Sequence, residues 1–115
     1  MSCGRLRTFD HETQAQQEIN MLIRIVRMTF EAEKTNDFLE IFAASKAKIR
    51  AMPGCQHVEL LRDLDQPNVF VTHSHWDNAD ALHAYRNSVL FKETWAKTKA
   101  LFADKPLAFS VERVM

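Results

Sequence analysis

Histidine suits proton transfer near neutral pH better than any other side chain, and two of the five histidines alternate along one β-branched segment. His73 and His75 are two residues apart, so in a strand they point to the same face, about 7 Å apart at Cα. If the preceding turn is centred on Gln66, His57 lies opposite His75 and Glu59 lies opposite His73. With that register, the four side chains would form a compact patch of three imidazoles and one carboxylate.

Such a patch has two interpretations. Imidazole and carboxylate groups suit zinc, iron or nickel, so the patch could bind a divalent metal. Alternatively, it is a polar patch at an interface or a barrel mouth, hydrogen-bonded within itself or to water. We favour the second interpretation and expect no bound metal or cofactor. A shift of one residue in the hairpin would break the cluster.

Four large aromatic side chains form the second group of interest. Trp76 ends the strand of the two histidines, Tyr85 falls in a short predicted helix, and Phe91 and Trp95 fall in the next helix. They are either core residues, with the tyrosine hydroxyl and indole N–H hydrogen-bonded, or the walls of a pocket. The remaining histidines are less informative, since His83 is expected to be exposed.

The bulk composition excludes several classes of protein. The chain has 115 residues, enough for one domain, and 15 basic residues balance 15 acidic ones. A zero net charge offers no long-range attraction to nucleic acid or anionic lipid. No apolar run could span a membrane and no signal-peptide core is present, so a cytoplasmic location is expected. Cys3 and Cys55 are expected to be free thiols.

Glycine is scarce, which bears on cofactor binding. Only Gly4 and Gly54 occur. A phosphate-binding loop needs several glycines to let backbone N–H groups approach the anion. A conventional nucleotide or dinucleotide site is therefore not expected.

Hydrophobic periodicity gives the elements that position these groups. Alternating β-branched segments predict strands, and apolar residues at three- and four-residue steps predict helices. The strands are expected at 21–31, 55–63, 68–76 and 107–115. Helices are expected at 35–52 and 77–87, and a third helix follows the second and ends at about 103. Thr35 or Asn36 could cap the first helix, and Asp77 or Asn78 the second. Residues 1–20 form an N-terminal extension that is either flexible or contains a short helix over 10–18.

The order β-α-β-β-α-β predicts an α+β, ferredoxin-like fold with a four-stranded antiparallel sheet covered by helices on one face. Both faces of the first strand are apolar: Val26 and Met28 lie on one, Ile23 and Ile25 on the other. An apolar sheet face rarely stays in water. We therefore expect a homodimer in which a second sheet covers the open face.

Three segments resemble the antibiotic biosynthesis monooxygenase (ABM) family: MPGCQHVELLRDLDQPNVFVTHSHW, DNADALHAYRNSVLFKETW and AKTKALFADKP. The shared features are Pro-Gly after the first helix, a hairpin of the form E-x-x-R-D-x-x-x-P-x-x-F, and a double-helix segment A-x-x-x-Y/H-x-x-S-x-x-F. The resemblance covers residues 21–115, which would form the ABM-like domain.

This resemblance implies a dimeric α/β barrel with a pocket between sheet and helices. Family members include cofactor-independent oxygenases acting on polyphenols, anthrones or quinols. A haem-degrading branch depends on an Asn, a Trp and a His where this chain has Val26, Tyr85 and Trp95, so haem degradation is not expected. The function that the resemblance implies is a cofactor-independent monooxygenase of a small aromatic substrate. The alternatives are a non-catalytic or stress-related small-molecule-binding module and a metal-binding protein.

An oxygenase of this kind needs an aromatic-lined pocket, a group that takes or positions a proton, and exclusion of water. The predicted catalytic residues are His75, His73 and Tyr85. The predicted pocket residues are Trp76, Trp95, Phe91, Val26 and Met28. Arg24 and Arg27 lie on opposite faces of the first strand, and either one holds a phenolate oxygen or both pair with carboxylates such as Glu59 or Glu112.

Overall fold

A computed structural model describes residues 21–115 of the chain. The N-terminal extension, with its candidate helix over 10–18 and Cys3, lies outside the described residues. The elements in chain order are β1 (Leu22–Thr29), a 3-10 turn (Ala32–Lys34), α1 (Thr35–Arg50), β2 (Cys55–Arg62), β3 (Val69–Trp76), α2 (Ala79–Arg86), α3 (Val89–Lys99) and β4 (Leu107–Glu112). The predicted order is confirmed, with the second helical region divided into two helices as expected.

The four strands form one antiparallel sheet in the order β2-β3-β1-β4. This is a ferredoxin-like α+β fold, as predicted. The structure decides the hairpin register, which the sequence left open: the hairpin is centred on Gln66, because His57 pairs with His75 and Glu59 with His73. A β-bulge between Cys55 and His57 marks where β2 departs from regular pairing.

The helices pack on the face of the sheet that carries the even-numbered side chains of β1. Phe30, which is fully buried just after β1, is the centre of one part of the core. Its ring stacks on Phe38 of α1 at 4.1 Å between centroids and also contacts Phe70 and Phe102. A second part of the core surrounds Trp76. Between these two parts lies the space described below.

Helix capping agrees with the sequence in one case and differs in another. Asn78 caps α2 as predicted, since its side chain accepts a hydrogen bond from the Ala81 N–H at 2.9 Å. The prediction that Thr35 or Asn36 caps α1 is wrong. The 3-10 turn leads directly into α1, and the Thr35 hydroxyl instead donates to the Ala32 carbonyl. Because the chain is already helical there, α1 has no free first turn at Thr35.

Element ends differ from the predicted ones by a few residues. The strand β4 ends at Glu112 rather than at the last residue, and α3 ends at Lys99 rather than near 103. The residues after α3 instead pair with the end of β1, where the Ala103 N–H donates to the Thr29 carbonyl and Phe30 forms a bridge with Phe102.

The turn after α1 depends on Gly54. Gly54 has a φ of +83°, in the left-handed region that glycine adopts without strain. A Cβ at this position would lie 2.5 Å from the Cβ of Ala81 in α2. The carbonyl of Gly54 also accepts a hydrogen bond from the Asp77 N–H at 2.8 Å. The predicted helix stop is therefore also the point where α1, β2 and α2 meet closely.

The opposite face of the sheet is not covered by any helix among residues 21–115. It carries Ile23 and Ile25 of β1 and three exposed apolar residues of β4: Leu107, Phe109 and Val111, which are 58%, 42% and 43% exposed. The uncovered apolar face that the sequence predicted is therefore present among residues 21–115. The homodimer that would cover it stays a prediction. No helix in this part of the chain has the length and apolar character to cross a bilayer.

Candidate functional site

A cavity of about 230 Å³ lies between the sheet and the helices. Strands β1 and β3 form its floor, α1 covers one side, and α2 and α3 cover the other. All five residues predicted to line a pocket do so, together with Tyr85: Val26, Met28, Trp76, Phe91 and Trp95. The structure thus brings together residues that are up to 69 positions apart in the chain.

Aromatic rings form a continuous wall of this cavity. Trp76 and Tyr85 stack with centroids 4.9 Å apart, and Tyr85 meets Phe91 edge-on at 5.2 Å. Phe91 is nearly parallel to Trp95, with centroids 5.9 Å apart and planes inclined by 11°. The Trp76 indole N–H donates to the Ser74 hydroxyl at 3.0 Å. These rings pack against each other as core residues do, and all four also line the cavity.

Two arginines line the same cavity. Arg24 projects from β1 between Leu22 and Val26, and Arg86 is the last residue of α2. The Arg24 guanidinium donates to the Ser110 hydroxyl at 3.0 Å. Burial, and to a smaller extent the charge of Arg86, lowers the pKa of Arg24. No lining residue of the cavity is an Asp or a Glu, so the described walls carry positive charge and no compensating carboxylate.

Among residues 21–115, the alternative pairing of the strand-one arginines with carboxylates is not observed. Neither Arg24 nor Arg27 forms an ion pair within residues 21–115. Sequence reasoning identified Arg24 as a candidate and missed Arg86. The only sequence signal for Arg86 is that it follows Tyr85 at the end of a short helix, and its direction depends on how that helix packs.

Tyr85 is poised to donate a hydrogen bond. Burial, with a smaller contribution from Cys55, raises its pKa from 10.0 to about 12. The phenol is therefore protonated at neutral pH, so it can donate a hydrogen bond to a ligand oxygen but cannot act as a base. Cys55 is a buried free thiol, as expected, and burial raises its pKa.

The structure separates Tyr85 from the other two predicted catalytic residues. His73 and His75 lie on the uncovered face of the sheet, whereas Ser74 and Trp76 face the cavity. The reason is the two-residue period of a strand, which sends alternate side chains to opposite faces. Within a protomer the structure therefore brings Tyr85 to the cavity and does not bring His73 or His75 there, and the catalytic role of the three residues stays a prediction.

The predicted His/Glu patch does form, on the uncovered face. His73 Nδ1 lies 2.7 Å from Glu59 Oε1, and His57 Nε2 lies 3.4 Å from the same oxygen. His75 Nε2 lies 3.3 Å from His73 Nε2. The hydrogen bond with His73, followed by that with His57, lowers the pKa of Glu59, while burial and then the neighbouring His73 lower the pKa of His75.

The remaining histidines are placed elsewhere. His83 is exposed on α2, as predicted, and its ring lies outside the cavity lining. His11 lies outside the described residues. The cavity thus has no histidine among its described walls, which is a clear difference from the expected site.

Comparison with known structures places this fold among related proteins. A conserved protein from Methanosarcina mazei Go1 superposes with a TM-score of 0.83 at 14% identity, covering 87% of this chain and 99% of the other. An antibiotic biosynthesis monooxygenase superposes with a TM-score of 0.77 at 20% identity, covering 82% and 99%. A conserved protein of unknown function from Bacteroides thetaiotaomicron VPI-5482 gives 0.75 at 17% identity, covering 83% and 99%. At these identities the likeness concerns the fold alone.

A search of curated proteins finds no matching relative. The sequence model of one family, described as antibiotic biosynthesis monooxygenase, matches residues 21–97. The match begins with β1 and extends into α3, so it includes most of the cavity walls. By this match over most of its length, and with a fold that agrees, the chain belongs to the antibiotic biosynthesis monooxygenase family.

Proposed function

We propose that this protein is a cofactor-independent monooxygenase of a small aromatic substrate of the quinol, anthrone or polyphenol class. The observation that carries the proposal is the cavity itself, which has aromatic walls, two arginines and no carboxylate among its lining residues. An electron-rich aromatic anion fits this combination of shape and charge. Family membership supports the same type of reaction.

The reaction can proceed without an added cofactor because the substrate supplies the electrons. For an anthrone, a CH₂ group and O₂ give a C=O group and one water molecule. Loss of a proton from this CH₂ group to water gives an enolate, which transfers one electron to O₂. The resulting radical pair forms a C–O bond, the peroxide anion takes a proton back from water, and the hydroperoxide then loses water as its O–O bond and the remaining C–H bond break. The protein must favour the anion and keep bulk water away from these intermediates.

Arg24 and Arg86 are suited to stabilise this anion. A positive charge within about 4–6 Å of a phenol or enol lowers its pKa by about 1–3 units. Tyr85, which stays protonated, can donate a hydrogen bond to the same developing oxyanion. Since the cavity lining offers neither a carboxylate nor an imidazole, water accepts the proton, and the two arginines favour this transfer by increasing the acidity of the substrate.

We also propose that the protein acts as a homodimer. The exposed apolar residues of β4 and the adjacent apolar residues of β1 form a face that a second copy can cover by sheet-to-sheet packing. Mass measurement in solution at micromolar concentration tests this. A mass of two chains is expected, and a stable monomer would exclude the dimeric barrel.

Oxygen uptake with 1,8-dihydroxyanthrone or a reduced naphthoquinone tests the enzymatic function. The variant Ala108→Trp should block the cavity from the edge strand β4 and abolish uptake, because Ala108 lines the cavity and is itself exposed. The matched control Ala96→Trp places the same ring on the solvent side of α3 and should retain it. If the wild-type protein binds a hydroxyanthraquinone but no reduced substrate raises uptake, the protein is a binding module and the enzymatic proposal fails.

A further inference from the structure

The uncovered face of the sheet carries a group of side chains that the proposed reaction does not use. His57, Glu59 and His73 each place one potential ligand atom within 4.8 Å of the other two. We propose that these three side chains bind a divalent transition-metal ion of the zinc type, with His75 as the residue that orients His73. This proposal replaces the prediction that no metal is bound, and it does not depend on the proposed oxygenase activity.

The distances between donor atoms fit a small ion. Zinc binds histidine nitrogen and carboxylate oxygen at about 2.0–2.2 Å, so neighbouring ligand atoms of a tetrahedral site are about 3.3–3.5 Å apart. His57 Nε2 and Glu59 Oε1 are already 3.4 Å apart. His73 Nδ1 and Glu59 Oε1 are 2.7 Å apart, and a small rotation of the Glu59 carboxylate, of about half an ångström, would bring them to the same spacing.

The fourth residue has the geometry of a supporting group. A histidine that binds a metal through one ring nitrogen usually donates the N–H of its other nitrogen to an acceptor, which fixes its tautomer and orientation. If His73 binds through Nδ1, its Nε2–H points to His75 Nε2, 3.3 Å away. The rings of His73 and His75 are nearly perpendicular, with centroids 4.8 Å apart. His75 can thus accept the proton of His73 Nε2 and hold the ring in place.

The sheet holds these groups in position without a metal. His57 and Glu59 lie on β2 directly opposite His75 and His73 on β3. Strand pairing therefore fixes all four Cα positions, and only side-chain rotations are needed for binding. Two imidazoles and one carboxylate favour zinc, nickel, copper or iron over magnesium and calcium, which prefer oxygen ligands.

Zinc binding to protein freed of any affinity tag tests the proposal. We expect one Zn²⁺ per chain by equilibrium dialysis with elemental analysis, with a Kd of about 1 µM or below. Co²⁺ bound at the same site should give the intense visible absorption that is typical of tetrahedral coordination. At a hundredfold excess of Zn²⁺ over Kd, the Tm should rise by roughly 10 °C.

Variants separate ligands from the supporting residue. His73→Ala and Glu59→Gln should weaken Zn²⁺ binding at least about a hundredfold, whereas His75→Gln should weaken it about 10–100-fold while keeping one ion per chain. The control is the double variant His11→Ala/His83→Ala, which leaves all three histidines of the cluster and should bind as the wild type does. Circular dichroism and mass measurement of each variant would reveal a loss of folding or of association.

The proposal is overturned if wild-type protein binds Zn²⁺ with a Kd clearly above about 1 µM, or if the double variant His11→Ala/His83→Ala loses Zn²⁺ binding. It is also overturned if folded Glu59→Gln and His73→Ala variants bind as tightly as the wild type. Oxygen uptake by the metal-free protein is measured separately, so failure of this site and failure of the proposed oxygenase reaction are distinguishable.

Discussion

Replacing Arg24 with methionine removes a positive charge from the cavity and keeps an unbranched, although shorter, side chain. Arg24 lines the cavity and is bound among residues 21–115 only to the exposed Ser110 hydroxyl, so the substitution breaks no ion pair there. The expected effect is on a bound ligand anion. A hydroxyanthraquinone bound to the wild type should ionise at a lower pH than the free dye, and Arg24→Met should remove part of that shift.

The magnitude follows from the charge and its surroundings. Two unit charges about 4 Å apart interact by about 4 kcal/mol at an effective dielectric constant of 20. Arg24 is only partly buried and Arg86 remains in the variant, so we reduce the interaction energy between Arg24 and the ligand anion to about 1–3 kcal/mol. One pKa unit corresponds to about 1.4 kcal/mol. The pKa of the bound dye should therefore rise by about 1–2 units, and oxygen uptake at neutral pH should fall about 10–100-fold.

The assay is a pH titration of the bound dye by its phenolate absorption. Arg27→Met is the matched control, since Arg27 lies on the same strand and points to the other face of the sheet. It should leave the dye pKa within a few tenths of a unit of the wild-type value. Equal shifts in both variants, or no shift in Arg24→Met, would refute the idea that a cavity arginine stabilises the ligand anion.

Four further predictions concern stability and association. Gly54→Ala should lower the free energy of unfolding by at least about 1–2 kcal/mol in a urea titration, because an alanine is strained at φ +83° and its Cβ would collide with Ala81; a neutral result would mean that α2 shifts freely. Phe30→Ala should cost about 3–5 kcal/mol, since the ring is fully buried among three other phenylalanines. Tyr85 is the only tyrosine, so the phenolate absorbance of the folded protein should titrate near pH 12, against about 10 in urea. Its raised pKa means that the unfolded chain loses its proton first, so the free energy of unfolding should fall by about 2 kcal/mol between pH 10 and 12, and this fall should be absent in Tyr85→Phe. Phe109→Asp should convert a dimer to monomers in sedimentation, and an unchanged mass would place the interface elsewhere.

The sequence predicts the sheet and the His/Glu patch for the same reason. Strand side chains alternate with a period of two, and the turn between β2 and β3 sets the pairing register. Once Gln66 is taken as the centre of that turn, the positions of His57, Glu59, His73 and His75 follow without further information. The aromatic wall was also predictable, since helical periodicity places Phe91 and Trp95 on the buried side of α3.

The sequence did not predict which face of the sheet, covered or uncovered, each candidate catalytic side chain lies on. Period-two alternation places His73 and His75 together, but it does not say which face the helices cover. The sequence suggested that these histidines and Tyr85 act together, and the tertiary structure puts the sheet between them. The start of α1 was predicted wrongly for a similar reason, because the preceding 3-10 turn depends on the path that the chain takes after β1.

The amino-acid sequence by itself determined the order of the elements and which side chains of a strand share a face, since these follow from local periodicity and turn chemistry, whereas the structure decided the hairpin register. Only the tertiary structure decided that Arg24 and Arg86 meet at one cavity with the aromatic wall and that the histidines lie behind its floor. Those placements depend on which face of the sheet the helices bury and on the angle at which α2 packs. Both are set by long-range packing, which leaves no local pattern in the chain.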